Sequence, residues 1–271
     1  MLALDDVIEL PDGVVRDGDG LFDGVRARHY PGNPAARVIL EGAGASIAEA
    51  AAALSSRFSI SPERARHDAL AFVWDLNRAL LVNVERRGRR LLRLRQWVGL
   101  AARLAPAGAL PPTISRRRAL DTSSRCRAAL TCALGLGGRG LALACGVAAG
   151  TAHLSAIAGA VAPAVAVVAG LATGIALLLH EAAHAVAVSP AAAAVVTSGP
   201  RTFVLHRGGG GARAAVVAFV GPALPAGVGL VLATVAVVTA NDLLAVGACP
   251  FAAHALSLTA FSSDGRAVCD L

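Results

Sequence analysis

The run LLLHEAAHAVAV, residues 177–188, sets two histidines and a glutamate in an otherwise apolar stretch. Burying ionisable groups is costly unless they are paired or bind a metal, and inside a membrane such residues mark function. On a helix, His180 and His184 fall on one face, one turn apart, where two imidazoles can share a zinc ion (Zn2+). Glu181 then lies beside the metal, as general base for a bound water whose pKa zinc lowers to about 7. A catalytic zinc needs a third protein ligand and an open position. Asp264 is the expected third ligand, because Asp242 falls in a turn at the opposite end of the predicted spans and Asp270 near the C-terminus. The competing reading is a packed polar cluster without metal.

The elements that must position these residues follow from composition. Of 271 residues, 55% are hydrophobic and 4% aromatic, and the mean hydropathy of +0.61 calls for membrane segments. Four spans of about 20 apolar residues are predicted at 140–158, 164–188, 214–238 and 243–261. Charge is segregated. Residues 1–85 carry net −5, residues 86–127 net +11, and residues 128–271 net +1. The chain is therefore read as an acidic head (1–85), a basic linker (86–127) and an apolar body (128–271). The acidic N-terminus is not a signal peptide, so the head is expected in the cytoplasm of a multi-pass cell-membrane protein. The linker lacks the aromatic platforms and fold motif of a nucleic-acid binder. Leu91, Leu92, Leu94, Trp97, Val98 and Leu100 interleave with its arginines. That pattern predicts an interfacial helix on membrane lipids with anionic headgroups, ended by Pro106, Pro111 and Pro112. A plain solvated linker is the alternative.

With the arginines on the cytosolic side, alternating spans bring HEAAH and Asp264 to a similar depth near that face. His254 lies ten residues before Asp264, nearly three turns away on an unbroken helix, too far to share the metal. It and His153 are read as helix-contact histidines, and His206 as a loop residue. Residues 189–213 are expected as a loop, or as a small hairpin guiding an extended substrate. The five cysteines include no CxxC pair, so neither a disulfide framework nor a zinc ribbon follows.

The head reads as short strands over 1–30 followed by three helices. One spans 34–41. The second starts at Ser46 with Glu49 at capping-box spacing, and the third at Ser61 with Pro62 in its first turn. The fold class is thus mixed: a small α+β winged-helix-like domain, then an α-helical membrane domain of about four spans. The head's negative charge disfavours a DNA-binding winged helix.

The stretch NPAARVILEGAGASIAEAAAALSSRFSISPERARHDALAFVWDLNRALLV resembles the PqqD family of peptide-recognition modules, the resemblance covering 3–85. It implies that the leader segment of a ribosomally made precursor peptide adds a strand to the sheet edge. By position the receiving strand is 24–30, where Arg26 and Arg28 share a face and could meet an acidic leader. Solvated strand arginines are the alternative. Further on, GIALLLHEAAHAVAV, AVVAFVGPALPAGVGLVLA and SLTAFSSDGRAV resemble, in order, three motifs of the site-2 protease family, covering 165–268. That resemblance implies zinc held by His180, His184 and Asp264, with Glu181 catalytic. The family's Asn and Pro ahead of the Asp-Gly pair are replaced here by Leu256 and Thr259, with Ser257 the nearest polar residue. The few residues after Asp264 leave room for a partner membrane protein, or a second copy of the chain, to cover the site.

Together these readings describe a membrane-embedded zinc endopeptidase that binds and cleaves a precursor peptide during maturation or export. The rivals are an intramembrane protease acting on a membrane-bound regulator and a non-enzymatic, membrane-tethered peptide chaperone.

Overall fold

The computed structural model describes residues 2–18, 20–85, 114–158, 163–198, 201–207, 212–259 and 264. The interfacial helix expected after residue 86 lies outside them. The chain forms two compact units, Met1–Ala119 with Val196–Phe203, and Leu120–Val195 with Val204–Leu271.

In the first unit, β1 (Val7–Glu9) pairs antiparallel with β5 (Asn83–Glu85). Three short strands, β2 (Val14–Asp17), β3 (Gly20–Asp23) and β4 (Arg28–Tyr30), form an antiparallel meander. Helices α1 (Pro34–Glu41), α2 (Ile47–Phe58) and α3 (Pro62–Arg78) follow. Their starts are chemically fixed. Asn33 accepts from the Ala36 amide, Ser46 and Glu49 complete a reciprocal capping box, and Ser61 accepts from the Arg64 amide. Each cap satisfies amides that a helix start leaves without partners. Apolar residues at helical spacing, such as Ile47, Ala51 and Leu54 on α2 and Ala65, Ala69 and Val73 on α3, pack with Ile8 and Leu21 into one core.

Residues 24–30 do not form one strand. β4 begins at Arg28, and residues 24–27 make a turn in which Ala27 adopts φ 49°. Arg26 and Arg28 therefore do not share a strand face. Arg26 donates to the Ala79 carbonyl at 2.7 Å and lies 3.6 Å from Asp23, while the Arg28 guanidinium sits 5.1 Å over the Tyr30 ring.

The basic stretch before the apolar body contains a strand, β6 (Ser115–Ala119). Alternation turns Arg117 inward while Arg116 and Arg118 stay exposed. Arg117 is 1% exposed and binds Asp23 through two hydrogen bonds of 2.7 and 2.8 Å. The side-chain amides of Asn77 and Asn83 hold the backbone of Ser115 and Arg117, each through a donor–acceptor pair at 2.8 Å. Burial pushes the Asp23 carboxyl up, but the Arg117 pair and the amides of Arg26 and Val25 outweigh it and hold it below the usual carboxylate range. Strand β6 joins β7 (Ala193–Ser198) and β8 (Arg201–His206) in a sheet of order β6-β7-β8. The 189–213 segment, expected as a loop or small hairpin, thus contains two strands, with His206 ending β8.

The second unit contains three helices long and apolar enough to cross a membrane: α4 (Arg125–Ala158), α5 (Pro163–Val188) and α6 (Ala212–Thr239). Small residues four apart let α4 and α5 approach closely. A Cβ at Gly170 would overlap the Ala144 carbonyl and lie 2.8 Å from the Ala148 Cβ; one at Gly174 would lie 2.7 Å from the Gly140 carbonyl oxygen. Where a fourth span was expected over 243–261, the chain forms an 11-residue helix, α7 (Asp242–Ala252), then six residues of 3₁₀ helix (Ala253–Leu258). Pro250, inside α7, lacks the amide hydrogen that continues an α-helix and crowds the preceding turn.

Candidate metal centre

Helix α5 carries His180, Glu181 and His184 at 8%, 4% and 7% exposure. The two histidines lie one turn apart, and their Nε2 atoms approach to 3.2 Å. Asp264 brings Oδ2 to 3.3 Å from His180 Nε2 and 3.6 Å from His184 Nε2. These three residues are the candidate metal-holding group among the described residues. Glu181 is not one of the three.

The separations match a metal's demands. A tetrahedral zinc bonded at about 2.0–2.1 Å spaces its ligand atoms by about 3.3 Å. Two imidazole lone pairs and a carboxylate oxygen repel one another at such distances unless a cation or proton lies between them. With Glu181 also buried nearby, a divalent cation offsets charge that is otherwise costly to bury. The donor set of two imidazoles and one carboxylate suits zinc.

The neighbouring helix fixes the chemistry of His184. Its Nδ1 lies 2.7 Å from the Val217 carbonyl. A carbonyl only accepts, so Nδ1 carries the proton, and Nε2 is the nitrogen left to offer a lone pair to a metal when the ring is neutral. Pro222 and Pro225 interrupt the α6 hydrogen-bond ladder just beyond Val217. Gly221 leaves the space for the ring. A Cβ there would lie 2.7 Å from His184 Cδ2 and nearer still to Cε1 and Nε2. Gly221 thus gives the ring of the second histidine its seat.

His254 departs from expectation. A continuous helix would separate it from Asp264 by about 15 Å along the axis. Instead α7 stops at Ala252, and the chain leaves the 3₁₀ turn at Thr259 in an extended conformation. Asp264 returns to His180, and the His254 ring stacks on that same imidazole, with centroids 4.8 Å apart and planes inclined by 37°. His153 is exposed on α4, and His206 pairs with its neighbour's carbonyl at 3.0 Å. Neither joins the group. At the positions of the missing Asn and Pro, Leu256 is exposed, and the Thr259 hydroxyl donates to the Leu256 carbonyl at 2.7 Å, closing the 3₁₀ turn.

Spacing alone exposed His180, Glu181 and His184. The roles of His254, Gly221 and the Val217 carbonyl depend on helix packing. The one sequence signal for His254 was Pro250, which foretold a break in the last apolar segment.

No protein-family model, no curated protein and no solved structure matches this chain.

Proposed function

We propose that this chain is a membrane-embedded zinc endopeptidase of the site-2 protease type, with a PqqD-like head that recognises a precursor peptide. The observation that carries the proposal is the convergence of His180, His184 and Asp264 beside buried Glu181 on an apolar helix. A bound zinc would polarise the scissile carbonyl and lower the pKa of water. His180, His184 and Asp264 would hold it, and the Val217 carbonyl would keep His184 in the ligating tautomer. Glu181 takes the proton from the attacking water and passes it to the leaving amine. A structural metal site has no need of such a base, which favours the enzyme over the chaperone.

The topology that goes with this reading has the head in the cytoplasm, α4 leading outward and α5 inward. HEAAH then lies near the cytosolic end of α5, and Val217 and Gly221 near the cytosolic start of α6. Helix α7 rises about 16 Å and the 3₁₀ turn about 12 Å. Together they return the chain across most of a hydrocarbon core of about 30 Å towards Asp264. A soluble leader-bearing peptide fits a site at that depth.

Metal content of the detergent-purified chain tests this. The parent should hold about one zinc, and His184→Ala and Asp264→Ala should lose or weaken it. Glu181→Gln should keep the metal and lose about 10²-fold or more of its peptide cleavage. A parent without zinc after supplementation would return the protein to the chaperone reading. Full retention in Asp264→Ala would remove the third ligand. Cleavage confined to a membrane-spanning substrate would favour the regulator-cleaving protease.

A further inference from the structure

We infer that His254 is a positioning residue for His180, its ring face holding the first metal-ligating imidazole, whose second nitrogen has no hydrogen-bond partner among the described residues. The inference rests on the metal reading above. The two histidines of α5 are held differently. His184 is fixed by the Val217 carbonyl on Nδ1. His180 Nδ1 is buried and finds no hydrogen-bond partner among the described residues. Ligating histidines ordinarily use that second nitrogen to fix ring orientation, and losing the partner weakens the metal site. His180 has ring contacts in its place. The His184 ring meets it edge-on, with centroids at 4.8 Å and planes at 76°, and His254 packs on it tilted, at 4.8 Å and 37°. Both separations fall in the range where aromatic rings attract one another. An imidazole bound to a cation is electron-poor, so the electron-rich face of a neighbouring ring favours the ligating state.

The arrangement depends on the end of α7. The helical run ends at Leu258 and the chain turns extended at Thr259, and His254 and Asp264 reach the same imidazole, one against its ring and the other at Nε2. His254 is not itself in the convergent ligand group. Its contribution is an aromatic surface, which a phenyl ring can also supply.

The test uses the full chain in detergent, with zinc affinity measured by chelator competition and the visible spectrum of the cobalt-substituted protein. His254→Ala should weaken zinc binding on the order of tenfold. His254→Phe should restore it to within about threefold of the parent, since an aromatic face is what the contact requires. The cobalt spectrum should be the same in all three, because the ligand set is unchanged. Thermal unfolding of the metal-free forms separates loss of positioning from loss of fold. Unchanged affinity in a folded His254→Ala overturns the inference. So does His254→Phe behaving like His254→Ala, or a cobalt spectrum altered in either variant, since both make the ring nitrogen rather than the ring face the working part. A parent that binds no metal removes the zinc reading and this inference together. A parent that binds zinc with an indifferent position 254 removes this inference alone.

Discussion

A methyl group at position 221 would enter the volume of the His184 imidazole, so the glycine of the Gly-Pro pair answers a packing demand of the candidate metal site. Gly221→Ala should push the ring off its seat and weaken metal binding by about 10–100-fold, the range typical of disturbed ligand support. Gly227→Ala is the matched control. It lies on the same helix with nothing within 4 Å of an added Cβ, and its affinity should equal the parent's. Chelator competition reads both, and an unweakened Gly221→Ala would mean that the ring is not confined there. Much of this chemistry was readable beforehand. Two histidines one turn apart in an apolar run limit the options to metal or pairing. Asp264 could be chosen because alternating spans were expected to return it to the same depth, and because the other two late aspartates fell elsewhere. His254 could not be placed, because an unbroken helix was assumed through Pro250.

The capped helices of the head were legible because caps are local chemistry. Ser46 and Ser61 cap where the sequence puts them. β5 and β6 pair with strands far along the chain and, unlike the short strands of 1–30, escaped notice. The arginines of β6 were read as part of the basic linker beside lipid headgroups. The middle one, Arg117, is instead fully buried against Asp23, a partner 94 residues away. Asp23 is held below its ordinary value, so its contribution to stability is complete above the unfolded-state pKa of about 3.9. It is lost as pH falls through the lower folded-state value. Arg117→Met leaves the carboxylate buried without its main partner and should cost about 3–5 kcal/mol at neutral pH. It should also remove most of the acid-induced loss. Hydrogen exchange of the β3 and α3 amides in the full chain, at neutral pH and near pH 3, measures both effects. Unchanged exchange in the variant would mean the pair contributes nothing to this unit.

For the molecule as a whole, hydropathy correctly announced a helical body after a small head with sheets. Three of the expected spans are long apolar helices. The fourth is not one helix, because a hydropathy window cannot distinguish an α-helix from an α-helix that tightens to 3₁₀. The proposed orientation has its own check. Cys126 is exposed at the start of α4, next to the arginine-rich stretch. In a chain with Cys126 as its sole cysteine, a membrane-impermeant thiol reagent should label inside-out vesicles and spare intact cells. The reverse pattern would invert the topology and put HEAAH near the outer face.

The contact between α4 and α5 also limits how this gene can vary. Every single-nucleotide change of a glycine codon that still encodes an amino acid other than glycine adds at least one carbon. At Gly170 and Gly174 that carbon meets a backbone carbonyl of α4, which cannot swing aside as a side chain can. Neither codon has a tolerable neighbour that encodes another amino acid, so a saturation library should show both positions depleted of all substitutions, although neither residue carries a reactive group.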